Sequence, residues 1–181
     1  MKITTGSCKG RKLFIPKTSL VRPATDKVKQ ALFNILGDVS GLNILDLFAG
    51  CGSLALEALS RGANKAVLVD DLPESLRIIK KNIELCEFED SAFIIKGRIP
   101  QILKRIKVWH PEFFHIVFLD PPYDKNLVNP SIESVIKNNL VDANSLIIIE
   151  HSPREEVKAG VCHIVNTKKY GQTHISFVKK I

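Results

Sequence analysis

No apolar run in these 181 residues approaches the roughly 20 needed to span a bilayer, and the first residues lack the apolar segment of a secretory signal. The chain is therefore read as cytoplasmic. Cysteine is sparse and scattered: Cys8, Cys51, Cys86 and Cys162 have no paired CxxC spacing, which leaves neither a zinc ribbon nor a redox pair. No metal site is expected, and the thiols are read as reduced and mostly structural; at Cys51 a packing residue is favoured over a catalytic thiol. Internal repeats and low-complexity tracts are missing as well. Residues 1–181 are read as one domain, with an arm and helix over 1–37 and a core over 38–181.

Acidic side chains are nearly absent from one end. In residues 1–30, Lys2, Lys9, Arg11, Lys12, Lys17, Arg22, Lys27 and Lys29 face only Asp26, whereas the rest of the chain carries 18 basic and 18 acidic residues. The whole net charge of +7 thus sits at the N-terminus. Such concentration is the electrostatic footprint of a polyanion-binding arm. Leu13, Phe14 and Ile15 need burial, so an ordered arm or a small hairpin is expected here more than a free tail.

What is present alternates. Thr25 and Asp26 are natural N-caps, and Val28, Ala31, Leu32, Ile35 and Leu36 recur at helical spacing, predicting a helix over 26–36 closed by Gly37, with Lys27 and Lys29 on or near its exposed side. Residues 43–48 read as a buried strand, 54–61 as a helix, 65–70 as a second strand and 73–86 as a helix opened by Pro73. A strand at 93–95, a basic helix at 99–108 carrying Lys104, Arg105 and Lys107, a strand at 115–119, a helix near 131–140 and a strand at 146–149 follow. Two last strands, 161–165 and 175–178, are joined through Tyr170 and Gly171. The expectation is an α/β, Rossmann-like fold: a largely parallel seven-stranded sheet with a C-terminal antiparallel hairpin.

Two stretches carry chemistry. The run from Ala49 to Ser53 lies between a strand and a helix, and Gly50, Gly52 and Ala55 fit GxGxxA. Glycines there let backbone approach a ligand, and Asp70, 20 residues beyond Gly50 at the next strand tip, is placed to accept from ribose hydroxyls. Asp71 is the alternative if the register differs by one, though the strand pattern favours Asp70. That pattern alone fits NAD, FAD or S-adenosylmethionine. The second stretch is Phe118, Leu119, Asp120, Pro121, Pro122, Tyr123, an apolar strand stopped by prolines with a carboxylate at its carboxyl end, where open α/β sheets keep their ligands. A hydride-transfer enzyme has no need of such a corner. Methyl transfer to an exocyclic amine has: a carboxylate and a backbone carbonyl can accept the amine's two N–H groups and free its lone pair, while a flat ring stacks on the extruded base.

The pair DLFAGCG, Asp46 to Gly52, and DPPY, Asp120 to Tyr123, resembles the class I, S-adenosylmethionine-dependent amino-methyltransferases. GSCKGRKLFIP, RPATDKVKQALFNIL, LEALSRGA and YGQTHISF resemble more narrowly the RsmD-type family that methylates a guanine N2 in bacterial 16S ribosomal RNA. The resemblance implies S-adenosylmethionine as cofactor, with Asp46, Phe48, Gly50 and Gly52 on its methionine side and Asp70 at the ribose. It implies Asp120 and the Pro121 carbonyl as holders of the amine and Tyr123 as stacking ring. Arg22, Thr25 and Asp26 fall in a strongly patterned part of the family. Lys9, Arg11, Lys12 and Arg22 are the candidate contacts to 16S rRNA, the partner expected within the small ribosomal subunit, for a protein read as a monomer. Where such enzymes usually carry an acid at the end of the third strand, near the adenine, this chain has Lys96, Gly97, Arg98 and Ile99, which implies either adenine recognition by backbone groups alone or weaker cofactor binding. The alternatives are an adenine N6 DNA methyltransferase, disfavoured because little chain is spare for reading DNA, and a noncatalytic RNA-binding or assembly factor that keeps the fold.

Overall fold

Strands with no polar face need cover on both sides, and the first two strands are of that kind. The computed structural model describes residues 1–16, 25–110, 112–158 and 160–181. Strand β1, Asn43–Leu47, is buried at every position, and β2, Lys65–Asp70, at all but its first. They pair in parallel, with Ile44 opposite Ala66 and Asp46 opposite Leu68. Strand β3, Ala92–Lys96, pairs in parallel on the other side of β2. It is the edge of this set, and Phe93 and Ile94 are each 36% exposed. These strands, helix α1 (Thr25–Leu36), helix α2 (Ser53–Ser60) and helix α3 (Pro73–Cys86) belong to one compact unit, Met1–Lys96.

The second unit, Gly97–Ile181, contains α4 (Leu103–Trp109), β4 (Ile116–Leu119), α5 (Val128–Lys137), β5 (Leu146–His151), β6 (Cys162–Tyr170) and β7 (Thr173–Lys180). Its strand order is β4-β5-β7-β6, parallel between β4 and β5 and antiparallel thereafter. No helix among the described residues is long and apolar enough to cross a membrane.

Element types follow the expectation, and several boundaries depart from it, β7 for one running two residues further at each end than 175–178. Helix α4 begins at Leu103 and not at Ile99, because the residue before Pro100 is driven out of helical geometry and residues 98–102 make a turn instead. Helix α5 starts three residues earlier than expected: Pro130 lies in its first turn, where the missing N–H has no helical partner to lose. It also stops three residues earlier. Asn139 takes φ 51, and the Asn139 and Leu140 amides close back on Ile136 and Val135, a helix stop of the Schellman kind. Strand β6 runs to Tyr170, well beyond residue 165, because Asn166 to Lys169 pair with β7 without burying anything that an apolar pattern could reveal.

The N-terminal hairpin is present. Lys2 and Lys12 form an antiparallel bridge, with the Ile3 amide on the Arg11 carbonyl at 3.0 Å and the Leu13 amide on the Met1 carbonyl at 3.1 Å. Ile3 and Leu13 are buried. Phe14, expected inside, is 52% exposed, since alternation along the arm turns it outward beside the Lys81 ammonium, 5.8 Å from its ring. Lys29 departs the other way. It is 4% exposed, with Nζ 3.4 Å from Glu57 Oε2, 3.7 Å from Asp26 Oδ1 and 2.6 Å from the Lys2 carbonyl. A wholly buried carboxylate on α2 requires a counter-charge, and that overrides the helix-surface position.

Candidate active site

In the first unit the turn from β1 into α2 is held by left-handed backbone. Gly50 has φ 59 and Gly52, the N-cap of α2, has φ 78. A Cβ on Gly52 would stand 2.8 Å from the Leu68 side chain, and the left-handed backbone there strains any other residue, so both favour glycine where the helix closes onto the strand. Among the described residues, a Cβ on Gly50 would meet nothing nearer than the Phe48 carbonyl at 4.0 Å, which leaves room there for a ligand. Phe48 has φ 61, a conformation costing a bulky residue on the order of 1–3 kcal/mol and concentrated at functional sites.

Two carboxylates frame this turn. Asp46 is 2% exposed and its Oδ2 accepts the Ala55 amide at 3.2 Å. Burial lifts its pKa to about 7, the Ala55 hydrogen bond opposing and the Asp70 charge adding to the rise. Asp70 closes β2: Oδ2 accepts the Gly50 amide and Oδ1 the Leu72 amide, both at 2.9 Å. Each oxygen keeps a further lone pair, the capacity that ribose hydroxyls require. Asp71 is exposed, so the buried tip is Asp70. The open cradle over Gly50, a buried carboxyl with a proton to release toward a cation, and spare acceptors on Asp70 fit the methionine and ribose ends of S-adenosylmethionine. Cys51 is buried and its thiol is pushed further from ionisation by that burial, in line with a packing role.

Asn82 is a residue that sequence reasoning passed over. Fully buried on α3, it donates to the Cys51 and Phe14 carbonyls at 2.9 Å each and accepts the Phe14 amide at 2.8 Å. It ties the glycine turn to the arm. The available signal was an amide within the apolar stripe Ile79, Ile83, Cys86.

In the second unit β4 ends at Leu119 and delivers Asp120, exposed, then Pro121, buried, and Pro122, exposed. Tyr123 follows, half-buried. Its hydroxyl donates to Glu150 Oε1 at 3.1 Å and lies 2.8 Å from Thr173 Oγ1, which as the remaining donor completes the phenol's bonding. The ring is thereby pinned at its far end. Glu150 and Thr173 stand 27 and 50 residues away in sequence, which is why no local pattern announces them.

The candidate RNA contacts differ among themselves. Lys9 and Lys12 are exposed on the hairpin. Arg11 instead donates to the Leu85 carbonyl and pairs with Glu87 at 2.8 Å, clasping the end of α3. Arg22 lies outside the described residues. Asp26 accepts the Lys2 amide at 3.3 Å and faces Lys29, a use within the fold. Lys96, the last residue of β3, and Arg98 just beyond it are exposed.

The family model described as "Conserved hypothetical protein 95" matches residues 1–179. A Bacillus subtilis protein named "Putative rRNA methyltransferase YlbH" is 32% identical over 183 residues, 99% of each chain. The Escherichia coli K12 protein named "Ribosomal RNA small subunit methyltransferase D" is 35% identical over 152 residues, covering 83% of this chain and 74% of the relative. Among solved structures, "Putative methyltransferase yhhF from Escherichia coli" matches with a TM-score of 0.84 at 29% identity, over 99% of this chain and 97% of that one.

Proposed function

The chain belongs to the Conserved hypothetical protein 95 family, that of the RsmD-type ribosomal RNA methyltransferases, and on that footing we propose that it transfers a methyl group from S-adenosylmethionine to the N2 amine of one guanine in 16S rRNA of the small ribosomal subunit. The fold is that of class I methyltransferases, a seven-stranded, mostly parallel sheet with antiparallel C-terminal strands. The observation that carries the reading is the Asp120, Pro121, Pro122, Tyr123 corner at the end of β4, with its ring pinned by Glu150 and Thr173.

S-adenosylmethionine, when bound, supplies a methyl on a sulfonium and leaves as a neutral thioether. The amine's lone pair is delocalised into guanine, so the protein must localise it. Asp120 and the Pro121 carbonyl accept the two N–H groups, turning the lone pair out of the ring's conjugation, and Tyr123 stacks on the base. As the nitrogen–carbon bond forms the nitrogen turns positive, the Asp120 charge stabilises it, and one N–H proton leaves to water. Labelled cofactor, incubated with small subunits from a strain lacking the activity, should mark one guanine at N2. Label on adenine N6 of DNA would replace this reading by the DNA one, and failure of the protein to bind the cofactor would favour a noncatalytic factor.

Asp46 adds a pH dependence. Its carboxyl holds a proton to about pH 7, and a cationic cofactor favours the ionised form. Cofactor affinity should therefore rise with pH from 5.5 to 7.5, by up to about tenfold per unit below the pKa, and Asp46→Asn should flatten the rise. Calorimetry across that range decides; equal slopes in both proteins would remove Asp46 from the cofactor's surroundings.

For RNA, Lys9→Glu with Lys12→Glu should weaken binding and lower the slope of log affinity against log salt by roughly 1–2 units. Arg11→Glu should in addition loosen the arm from α3, visible as a lower thermal midpoint. An unchanged salt slope in the lysine pair would make the arm structural only.

A further inference from the structure

Resting on the rRNA reading above, we propose that Lys168 and Tyr170 at the end of β6 bind the nucleotide flanking the target guanine, Tyr170 by stacking on its base and Lys168 by pairing with its phosphate. Residues 157–181 contain five lysines and no aspartate or glutamate. This second cationic segment escapes a charge count taken over the whole chain beyond the arm, because acids elsewhere balance it.

Register decides which of these side chains share the catalytic corner's face. In β5, β7 and β6, Glu150, Ile175 and Lys168 are directly opposite one another, and Tyr170 is opposite Thr173. Side chains two apart on a strand, or paired across strands, lie on one face. Glu150 and Thr173, the two residues that hold the Tyr123 hydroxyl, therefore share a face with Lys168 and Tyr170. Lys169 and His174 fall on the other face with His151, whose Nε2 meets Ser176 Oγ at 2.9 Å and whose ring meets His174 edge-on at 5.7 Å. Directly paired side chains have Cβ atoms about 5 Å apart, so the Tyr170 ring starts one strand from the residue that Tyr123 touches.

The turn itself is built for a fixed tip. Gly171, at φ 60, opens the two-residue loop between Tyr170 and Thr173, as tight hairpins require. Lys168 is exposed and Tyr170 half-buried, and among the described residues β6 has no other strand on its outer side. An exposed cation and an aromatic ring at a rigid tip match a single-stranded nucleic-acid segment in charge and in stacking. A base extruded toward Tyr123 leaves its neighbour unstacked on one side, and Tyr170 offers that neighbour a replacement surface.

Steady-state methylation of unmethylated small subunits at about 0.15 M salt tests this. Tyr170→Ala should raise KM for the subunit roughly tenfold with kcat near that of the wild type, and Tyr170→Phe, which keeps the ring, should recover most of the loss. Lys168→Gln should raise KM several-fold and lower the salt slope of kcat/KM by about 0.7 to 0.9. Lys169→Gln, on the opposite face, should stay within about twofold. Equal effects of the two lysine changes, or a wild-type KM in Tyr170→Ala, would overturn the assignment while leaving the methyltransferase reading intact. A KM effect of Lys168→Gln without a change in salt slope would assign the tip to a ribosomal protein and also overturn it. If wild-type protein labels no guanine of 16S rRNA, the reading beneath fails, and this inference with it.

Discussion

Asp120→Ala is expected to lower kcat by roughly 10²- to 10⁴-fold while S-adenosylmethionine affinity stays within about twofold. The magnitude follows from the role. Asp120 stands exposed at the end of a buried strand, so its truncation removes little apolar burial and should leave the fold in place. What is lost is an anionic acceptor for the amine and the charge that steadies the nitrogen as it turns positive. Asp120→Asn is the sharper variant, since it keeps shape and one acceptor oxygen but removes the charge; it should recover little. Single-turnover transfer with calorimetric cofactor binding reads both quantities. Turnover unchanged in either variant would refute the role assigned to the carboxylate.

The largest stability effect is expected at Glu57. Its carboxylate, wholly buried on α2, accepts the Thr4 amide at 2.8 Å, the Thr4 hydroxyl at 2.7 Å, the Thr5 amide at 3.1 Å and Arg61 Nε at 2.9 Å, and faces the buried Lys29. Burial pushes its pKa up, but the Thr4 and Arg61 hydrogen bonds and the Lys29 charge outweigh burial and hold it below the usual 4.5. Glu57→Ala would take from the buried Lys29 ammonium its nearest carboxylate, leaving it the Lys2 carbonyl and Asp26, and would take from the Thr4 and Thr5 amides their acceptor, a loss of about 3–5 kcal/mol. At about 2–4 °C per kcal/mol for a chain of this size, the thermal midpoint should fall by roughly 10 °C. Adding Lys29→Met should restore part of it, because the buried charge that has lost its nearest counter-charge goes. The pH sign is set by the depressed pKa: the contribution is present above the unfolded value and is lost as pH falls through the folded one. Wild-type stability should therefore drop on acidification below about pH 4.5 more steeply than that of Glu57→Ala. A midpoint change under about 2 °C would mean that water replaces the carboxylate.

Much of the site was readable because its signals are local. A strand's apolar run, glycines at fixed spacing and a carboxylate beside two prolines are each decided within a few residues, and so Asp46, Gly50, Gly52, Asp70 and Asp120 all fall at strand ends or turns as expected. Residues that act through distant partners left no such trace. Asn82 looks like any helix amide until it meets Cys51 and Phe14, and Lys29 looks like a surface cation until Glu57 is found opposite it.

Charge misled in a second way. Counting cations along the chain marks the arm, yet Arg11 is spent on the Leu85 carbonyl and Glu87, while Lys168 on a strand at the far end of the chain shares a face with Glu150 and Thr173. Composition reports how many charges a segment holds, not which of them a fold has already neutralised.

By itself, then, the sequence determined the alternation of strand and helix, the glycine turn, the proline-stopped corner at Asp120 to Tyr123 and the family, because hydrophobic period, backbone restriction by proline and glycine, and motif order are properties of neighbouring residues. Tertiary structure alone decided which carboxylate carries a raised pKa, which cations are consumed inside the protein, what pins the Tyr123 ring and which side of the C-terminal hairpin carries that ring's partners. Those depend on burial and on pairing between strands, and both arise only when segments far apart in the chain exclude water together.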